Sequence, residues 1–325
     1  VHCPGALVHD RRTDTWHAAG DTSSMPELHT EPTAQTFDCS PFRSASGRDA
    51  YERAVARAID YTHAGDIYQS NIAHRLTATL TGSTRAAFLS ALAHSTPWYA
   101  ACIEIPAEDG SIARAVASAS PELFLHTDSS GRIITRPIKG TQPADLDARD
   151  LLSCEKNAAE LAMIVDLMRN DIGRICAPGR VRVANPRELE RHAPASPLHH
   201  TTATVEGQLR QGVSRADILR AAFPPGSITG APKVRAMQII DELEPVPRGP
   251  YTGSVAIFPD DGTMTLSVAI RTAALTRAGR DAFTLDYHAG AGIVADSDPS
   301  EEWRETLDKS RAFARALRTT IEHDA

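Results

Sequence analysis

The chain has 325 residues, 42% of them hydrophobic and 23% charged, with 34 basic against 41 acidic side chains and a net charge of −7. This composition suits a globular, enzyme-sized core and excludes a disordered tail or a membrane protein; with no dense Lys/Arg block, nucleic acid and anionic lipid are poor partners. The longest apolar stretches, such as 98–105, are broken by Glu104 well short of the ~18–20 residues that a membrane span requires.

Residues 1–48 mix Pro, Ser, Thr, Asp and Gly around one strand-like patch at 5–8, and are expected to form an N-terminal remnant packing on a catalytic domain over 49–325. Ala54, Ala58 and Tyr61 recur at helical spacing with Gly65 as a stop, which predicts a helix over 51–64 and then a strand over 68–76. A helix over 86–93 and an antiparallel meander at 99–105, 112–117, 123–126 and 132–137 follow. Next come a helix over 157–170, strands at 181–183 and 201–209, a helix over 215–222, and a Pro/Gly loop at 224–230. That loop leads into a helix from Pro232 to Leu243, with Pro at the favoured first position. Strands are expected at 253–258, 263–271, 283–288 and 293–295, the last one after Gly290-Ala291-Gly292. Asp298-Pro299-Ser300-Glu301 reads as a capping box opening the final helix. With no repeat and no Gly/Ser linker, one mixed α/β body built on large antiparallel sheets is the expected architecture. Five scattered cysteines, Cys3, Cys39, Cys102, Cys154 and Cys176, show no C-x-x-C or zinc spacing and suit a reducing, cytoplasmic setting. No basic, apolar leader is apparent after Val1.

Several residues could carry chemistry. Glu160 is followed at plus three, four and seven by Met163, Ile164 and Leu167, so its carboxylate extends an apolar stripe; it is either buried with a partner or sits at a stripe edge, reaching water or an arginine. Glu302 and Glu305 share a helix face, as a hard-cation site or a solvated face, and Glu305 to Lys309 is an ordinary helical ion-pair spacing. The string 290–295 matches G-x-G-x-x-A, but a strand rather than a helix follows it, so it is not a dinucleotide motif. Gly226 to Lys233 is no P-loop, although it could offer amides and hydroxyls at a helix N-terminus. Lys139, between Ile138 and Gly140, is either an exposed loop lysine or a desolvated nucleophile. His199 and His200 are either structural or catalytic.

Read together, GDIYQSN (65–71), SPE (120–122), RPIKGT (136–141), the stretch from Ala159 to Asp171, GSITGAPKVRAM (226–237), AIRT (269–272) and GAGIVADSDPSEEWRET (290–306) resemble the chorismate-utilising enzymes. The likeness is greatest to component I of aminodeoxychorismate synthases and covers about 50–317. It implies the chorismate-binding enzyme fold, of the α+β type: one large domain of antiparallel sheets packed as a sandwich with helices outside, its N-terminal region shortened. Most of the sheet that forms a tryptophan pocket in anthranilate synthase is missing, so tryptophan feedback is not expected. Lys139 stands where anthranilate synthases carry Ala in PIAGT, and GSITGAPK points the same way. Gln69 replaces the lysine base of relatives that add water, which argues for amination.

The resemblance further implies that Glu160, Glu302 and Glu305 bind Mg²⁺, that Glu122 is the general acid, that Lys139 attacks the ring, and that His200 is the active-site histidine. Gln69, Thr141, Thr229, Tyr251, Arg271, Gly290 and Gly292 match substrate-contacting positions. The partners implied are chorismate, ammonia and a glutamine amidotransferase subunit, since no glutaminase signature is present, with 4-aminobenzoate for folate as one destination. Departures are Pro225 for Gly, Leu161-Ala162 for Asn-Leu, Ala203 for Ser and Ser267 for Asn. An anthranilate- or aminodeoxyisochorismate-forming enzyme, and a non-catalytic chorismate- or glutaminase-binding paralogue, are the alternative readings.

Overall fold

The computed structural model describes residues 3–10, 13–23, 36–95, 97–143, 146–192 and 198–322, in two compact units, Val1–Gln35 and Thr36–Ala325. In the first, β1 (Gly5–Asp10) and β2 (Thr15–Gly20) form an antiparallel hairpin. Every residue of β2 is exposed.

The second unit runs β3 (Phe37–Cys39), β4 (Arg43–Ser44), α1 (Arg48–His63), β5 (Gln69–Gly82), α2 (Thr84–Ser95), β6 (Tyr99–Pro106), β7 (Ile112–Ser120), β8 (Leu123–Thr127), β9 (Arg132–Arg136) and β10 (Ile138–Pro143). It continues through α3 (Ala148–Ser153), α4 (Glu155–Gly173), β11 (Cys176–His192), β12 (Leu198–Leu209), α5 (Arg215–Ala222), a single 3-10 turn (Gly226–Ile228), β13 (Gly230–Ala231) and α6 (Lys233–Leu243). It closes with β14 (Ser254–Ile257), β15 (Met264–Val268), β16 (Thr272–Arg277), β17 (Ala282–Ile293) and α7 (Pro299–Ala316). An eight-stranded antiparallel sheet runs β13-β5-β17-β16-β7-β6, with β3 and β4 also on β5; a seven-stranded one runs β10-β12-β9-β8-β15-β14, with β11 on β12. No helix among the described residues is long and apolar enough to cross a membrane.

Each sheet buries one face under helices. Leu76, Leu80, Leu275 and Leu285 pack with Phe313 and Ala314 of α7. Ile72, Ala291 and Ile293 pack with Tyr51 and Val55 of α1 and with Trp303 of α7. Phe124, Ile133, Val205 and Leu266 of the other sheet pack on Leu161, Ile164 and Met168 of α4 and on Ile218 of α5. None of these apolar clusters draws strands from both sheets. Buried polar side chains, Gln69, Ser118, Ser120, Glu122, His200 and Thr272 among them, therefore form a separate population from the helix-covered cores.

Local chemistry starts the helices where they are needed. The Asp298 carboxylate accepts from the backbone N–H groups of Ser300 and Glu301 at the head of α7, and Ser214 and Asp217 form a reciprocal capping box on α5.

The chain changes sheet between expected strands, and this corrects several boundaries. The meander is divided: β6 and β7 belong to the eight-stranded sheet, β8 and β9 to the seven-stranded one. The strand expected at 263–271 ends at Val268, because the chain crosses to β16 there and Arg271 adopts a left-handed φ of 50°. Gly290-Ala291-Gly292 does not interrupt a strand; it lies inside β17, paired residue by residue with Ala73, Ile72 and Asn71 of β5. Pro232 caps α6 from outside rather than opening it. The GSITG loop does not end at a helix start, since it closes into the 3-10 turn and into β13 on β5.

Candidate active site

Two adjacent crossovers between the sheets carry opposite charges. Ser120-Pro121-Glu122 leads from β7 to β8, and Ala269-Ile270-Arg271 leads back from β15 to β16. Ala119 N–H donates to the Arg271 carbonyl at 3.0 Å, and Val268 N–H to the Glu122 carbonyl at 3.0 Å, so the two turns lie side by side. Glu122 is 4% exposed. Burial pushes its carboxyl up to about 7, against the opposing effects of the Ser227 hydroxyl, the Lys139 charge and the Ile138 N–H. The Ser227 hydroxyl donates to Glu122 Oε1 at 2.7 Å. A carboxyl held near neutrality can give up a proton in the physiological range. Burial lowers the Arg271 pKa, and Tyr287 is its titratable neighbour; among the described residues no carboxylate pairs with this guanidinium. A desolvated arginine without an acid is suited to an incoming carboxylate.

β10 carries Lys139 toward the other sheet. Its Nζ ion-pairs with Glu160 Oε2 of α4 at 3.0 Å, both side chains being largely buried. A methyl group built on Gly292 would meet Gln69 Nε2 at 2.3 Å and Lys139 Nζ at 3.0 Å. A methyl on Gly290 would meet Asn71 Oδ1 at 2.6 Å. The two glycines thus form a floor on which Gln69, Asn71 and the lysine amine lie. The Lys139 charge acts on Glu122, and the burial of this lysine is accompanied by a counterion. Glu160 is on the stripe edge with a partner, and the partner is a lysine.

Glu302 feels the charge of Glu305, and each of the three expected metal ligands has another partner. Glu302 accepts from Ser297 Oγ at 2.7 Å, and burial, then the Glu305 charge, holds it above the usual carboxylate range. Burial would raise Glu305 as well, but Lys309, 2.6 Å from its Oε1, takes it below that range with help from Lys139 and Lys156. Lys309 also donates to the Gly290 carbonyl at 2.9 Å, tying α7 to β17 beside the glycine floor. Among the described residues no group of three or more His, Cys, Asp or Glu is placed to hold a metal ion. Glu160, Glu302 and Glu305 carry hard oxygen donors of the chemical kind that Mg²⁺ takes, and the Glu305 charge that raises Glu302 is one that a divalent cation would relieve.

The remaining expected residues divide between the pocket and its supports. His200 is buried, with Nδ1 2.7 Å from Thr141 Oγ1 across the β10–β12 ladder, while Thr141 itself is exposed. Thr229 Oγ1 donates to the Pro225 carbonyl at 2.9 Å, and the Thr229 carbonyl accepts from Asn71 N–H at 2.8 Å. Tyr251 is buried, stacks on His288 at 5.5 Å and takes a backbone hydrogen bond from Gly290.

Sequence reasoning did not single out Ser227, Asn71, Lys156, Arg248 or Glu244. Arg248 spends all five of its N–H donors: on both Glu244 oxygens, at 2.8 and 2.5 Å, on the Ile228 and Asn71 carbonyls at 3.2 and 2.6 Å, and on Thr252 Oγ1 at 3.2 Å. Glu244 Oε1 also accepts from Ala73 N–H at 2.8 Å. Ser227 and Asn71 were visible as hydroxyl and amide inside the GSITG and GDIYQSN strings; nothing in the sequence marks Arg248 as the joint between them.

The sequence profile described as chorismate binding enzyme matches residues 6–315. The chain is 43% identical over 310 residues to anthranilate synthase component 1 1 of Haloarcula marismortui, covering 92% of this chain and 58% of that protein. It is 44% identical over 291 residues to aminodeoxychorismate synthase component 1 of Klebsiella aerogenes, covering 87% and 61%. The chain therefore spans about three fifths of the length of these curated relatives. Its fold matches the crystal structure of anthranilate synthase component I from Streptococcus pneumoniae with a TM-score of 0.78 at 29% identity, over 94% of this chain and 71% of that one.

Proposed function

This chain belongs to the chorismate-binding enzyme family, and from that premise we propose that it aminates chorismate to 4-amino-4-deoxychorismate, with Lys139 as a covalent nucleophile. The identities of 43% and 44% to relatives of two different names do not choose a product. The observation that carries the choice is Lys139, whose amine lies on the Gly292 floor beside Gln69 and within the electrostatic reach of Glu122.

In this reading Glu122 gives its proton to the departing C4 hydroxyl, which leaves as water. As the ion pair to Glu160 opens, the Lys139 ammonium releases its proton to solvent, and the free amine's lone pair forms a C–N bond to the ring, leaving the positive charge on that nitrogen. Ammonia then forms its own C–N bond as the lysine C–N bond breaks, and the resulting ammonium returns one proton to the Glu122 carboxylate. One ammonia is consumed, one water is released, and no oxidation state changes. Arg271 takes a substrate carboxylate. Held by Glu160, Glu302 and Glu305, Mg²⁺ would supply the positive charge that neutralises and orients the ring carboxylate. A separate glutamine amidotransferase subunit as ammonia donor is part of the same proposal, in keeping with the component 1 names of the relatives.

Product analysis with chorismate, Mg²⁺ and ammonium salts tests the reading. The expected product is 4-amino-4-deoxychorismate without pyruvate release. Anthranilate with pyruvate would favour the second reading, which the Haloarcula relative supports.

A further inference from the structure

Asn71 is a buried amide that the chemistry above does not use. Its backbone is fixed on one side of β5: its N–H donates to the Thr229 carbonyl at 2.8 Å, and its carbonyl accepts from Arg248 Nη2 at 2.6 Å. On the other side β5 pairs with β17, Asn71 opposite Gly292 and Ala73 opposite Gly290. The residue is 9% exposed, and its Oδ1 is fully buried without a hydrogen-bond donor among the described residues. That oxygen lies over Gly290, where a methyl would come within 2.6 Å of it. Over Gly292, two residues along and so ~7 Å away, lie Gln69 Nε2 and Lys139 Nζ. A buried acceptor left unpaired is destabilising, so its retention in a rigid backbone setting points to a donor that arrives with the reaction.

We propose that Asn71 Oδ1 accepts a hydrogen bond from the nitrogen nucleophile and holds ammonia over the Gly290–Gly292 floor for attack. The assignment rests on the amination proposed above and adds the residue that positions its second substrate. Chorismate's carboxylates are acceptors and are repelled by an amide oxygen. The leaving hydroxyl belongs with Glu122, at the sheet crossover. Ammonia has N–H donors to spare once its lone pair is directed at the ring. A neutral acceptor suits it better than a carboxylate, which would favour ammonium and so tie up the attacking lone pair.

The test is steady-state kinetics of the full chain with ammonium salts, varying ammonia and chorismate separately, on wild type, Asn71→Leu and Asn71→Asp, each checked for folding by thermal melt. Asn71→Leu removes the acceptor at nearly constant volume and should raise KM for ammonia about three- to tenfold, with KM for chorismate within about twofold. Asn71→Asp keeps an acceptor and adds charge, so it should keep the nitrogen KM, lower kcat, and move the pH optimum upward. An unchanged ammonia KM in Asn71→Leu, or a change confined to chorismate, overturns the assignment while leaving the amination standing. If Asn71→Leu does not fold, a pH optimum in Asn71→Asp identical to wild type overturns it instead. Wild type that shows no ammonia-dependent turnover sinks the underlying reading, and the assignment with it.

Discussion

Lys139 Nζ lies 3.0 Å from Glu160 Oε2, so the residue proposed to attack the ring and one proposed to ligate Mg²⁺ are each other's counterions. Neither can perform its role while the pair is intact, which makes separation of the pair a step on the way to reaction. Mass spectrometry of enzyme trapped with chorismate should find an adduct on the peptide containing Lys139. Lys139→Ala should lose it while keeping part of the turnover, because ammonia can attack directly. Lys139→Arg should be worse than Ala, since a permanently charged, bulkier fork fills the space over Gly292. Full activity in Lys139→Ala, with no adduct in wild type, would leave this lysine an electrostatic support for Glu160.

Glu122→Gln separates catalysis from stability. Turnover should fall by about 10²–10⁴-fold, the usual contribution of a general acid. The native pKa of about 7 is above the ordinary 4.5, so the folded state holds this proton more tightly than the unfolded one. That stabilising contribution is complete below about pH 4.5 and is lost as pH rises through about 7, a difference of about 3 kcal/mol. Denaturant midpoints should therefore favour Glu122→Gln over wild type increasingly from pH 5 to 8. Parallel curves for the two proteins would contradict the raised pKa. In wild type, kcat should decline above about pH 7, as the acid form disappears.

Chelation should abolish turnover, and Mg²⁺ should restore it. Calorimetric titration of Mg²⁺ into the enzyme should show one binding event, weakened at least about tenfold in Glu302→Gln and in Glu160→Gln. Equal affinity in all three proteins would move the metal elsewhere.

Arg248 is the joint on which β5, the 3-10 turn and the Tyr251 segment meet. Arg248→Ala leaves Glu244 buried without its partner and should cost about 3–5 kcal/mol in denaturant unfolding. Arg248→Lys keeps the charge but has three donors in place of five. It should recover much of that stability and still lose kcat, because at least two of the five contacts go unmade. A lysine variant with wild-type kcat would show that charge alone suffices.

How much of this was legible in the sequence depended on whether the signal was local. The Asp298 cap of α7 lies within a few residues of the backbone it orders and was readable, as were the strings that carry the family resemblance; the stripe of α4 was read at Met163, Ile164 and Leu167, whereas its buried apolar positions are Leu161, Ile164, Val165, Met168 and Ile172. The sheet crossovers were not. Residues 263–271 read as one extended run, and only tertiary pairing puts β15 on β8 and β16 on β7, with Arg271 at the switch. Glu160 could be placed on a stripe edge, but its partner comes from a strand 21 residues earlier. The three glutamates were expected as a set, whereas the packing gives them Lys139, Ser297 and Lys309 as separate partners. Asn71 looked like any strand amide until its register opposite Gly292 was known.

Neither Gly290 nor Gly292 has the left-handed backbone that would require glycine. The nearest atoms that a methyl at position 292 would strike are the far ends of Gln69 and Lys139, with no backbone atom among them. Gly292→Ala is therefore a way to silence the chain with a single carbon: the sheet can keep its hydrogen bonds while the reactive amine is pushed off its seat. Such a protein would be an inert double, able to compete with the active one for the amidotransferase subunit proposed above.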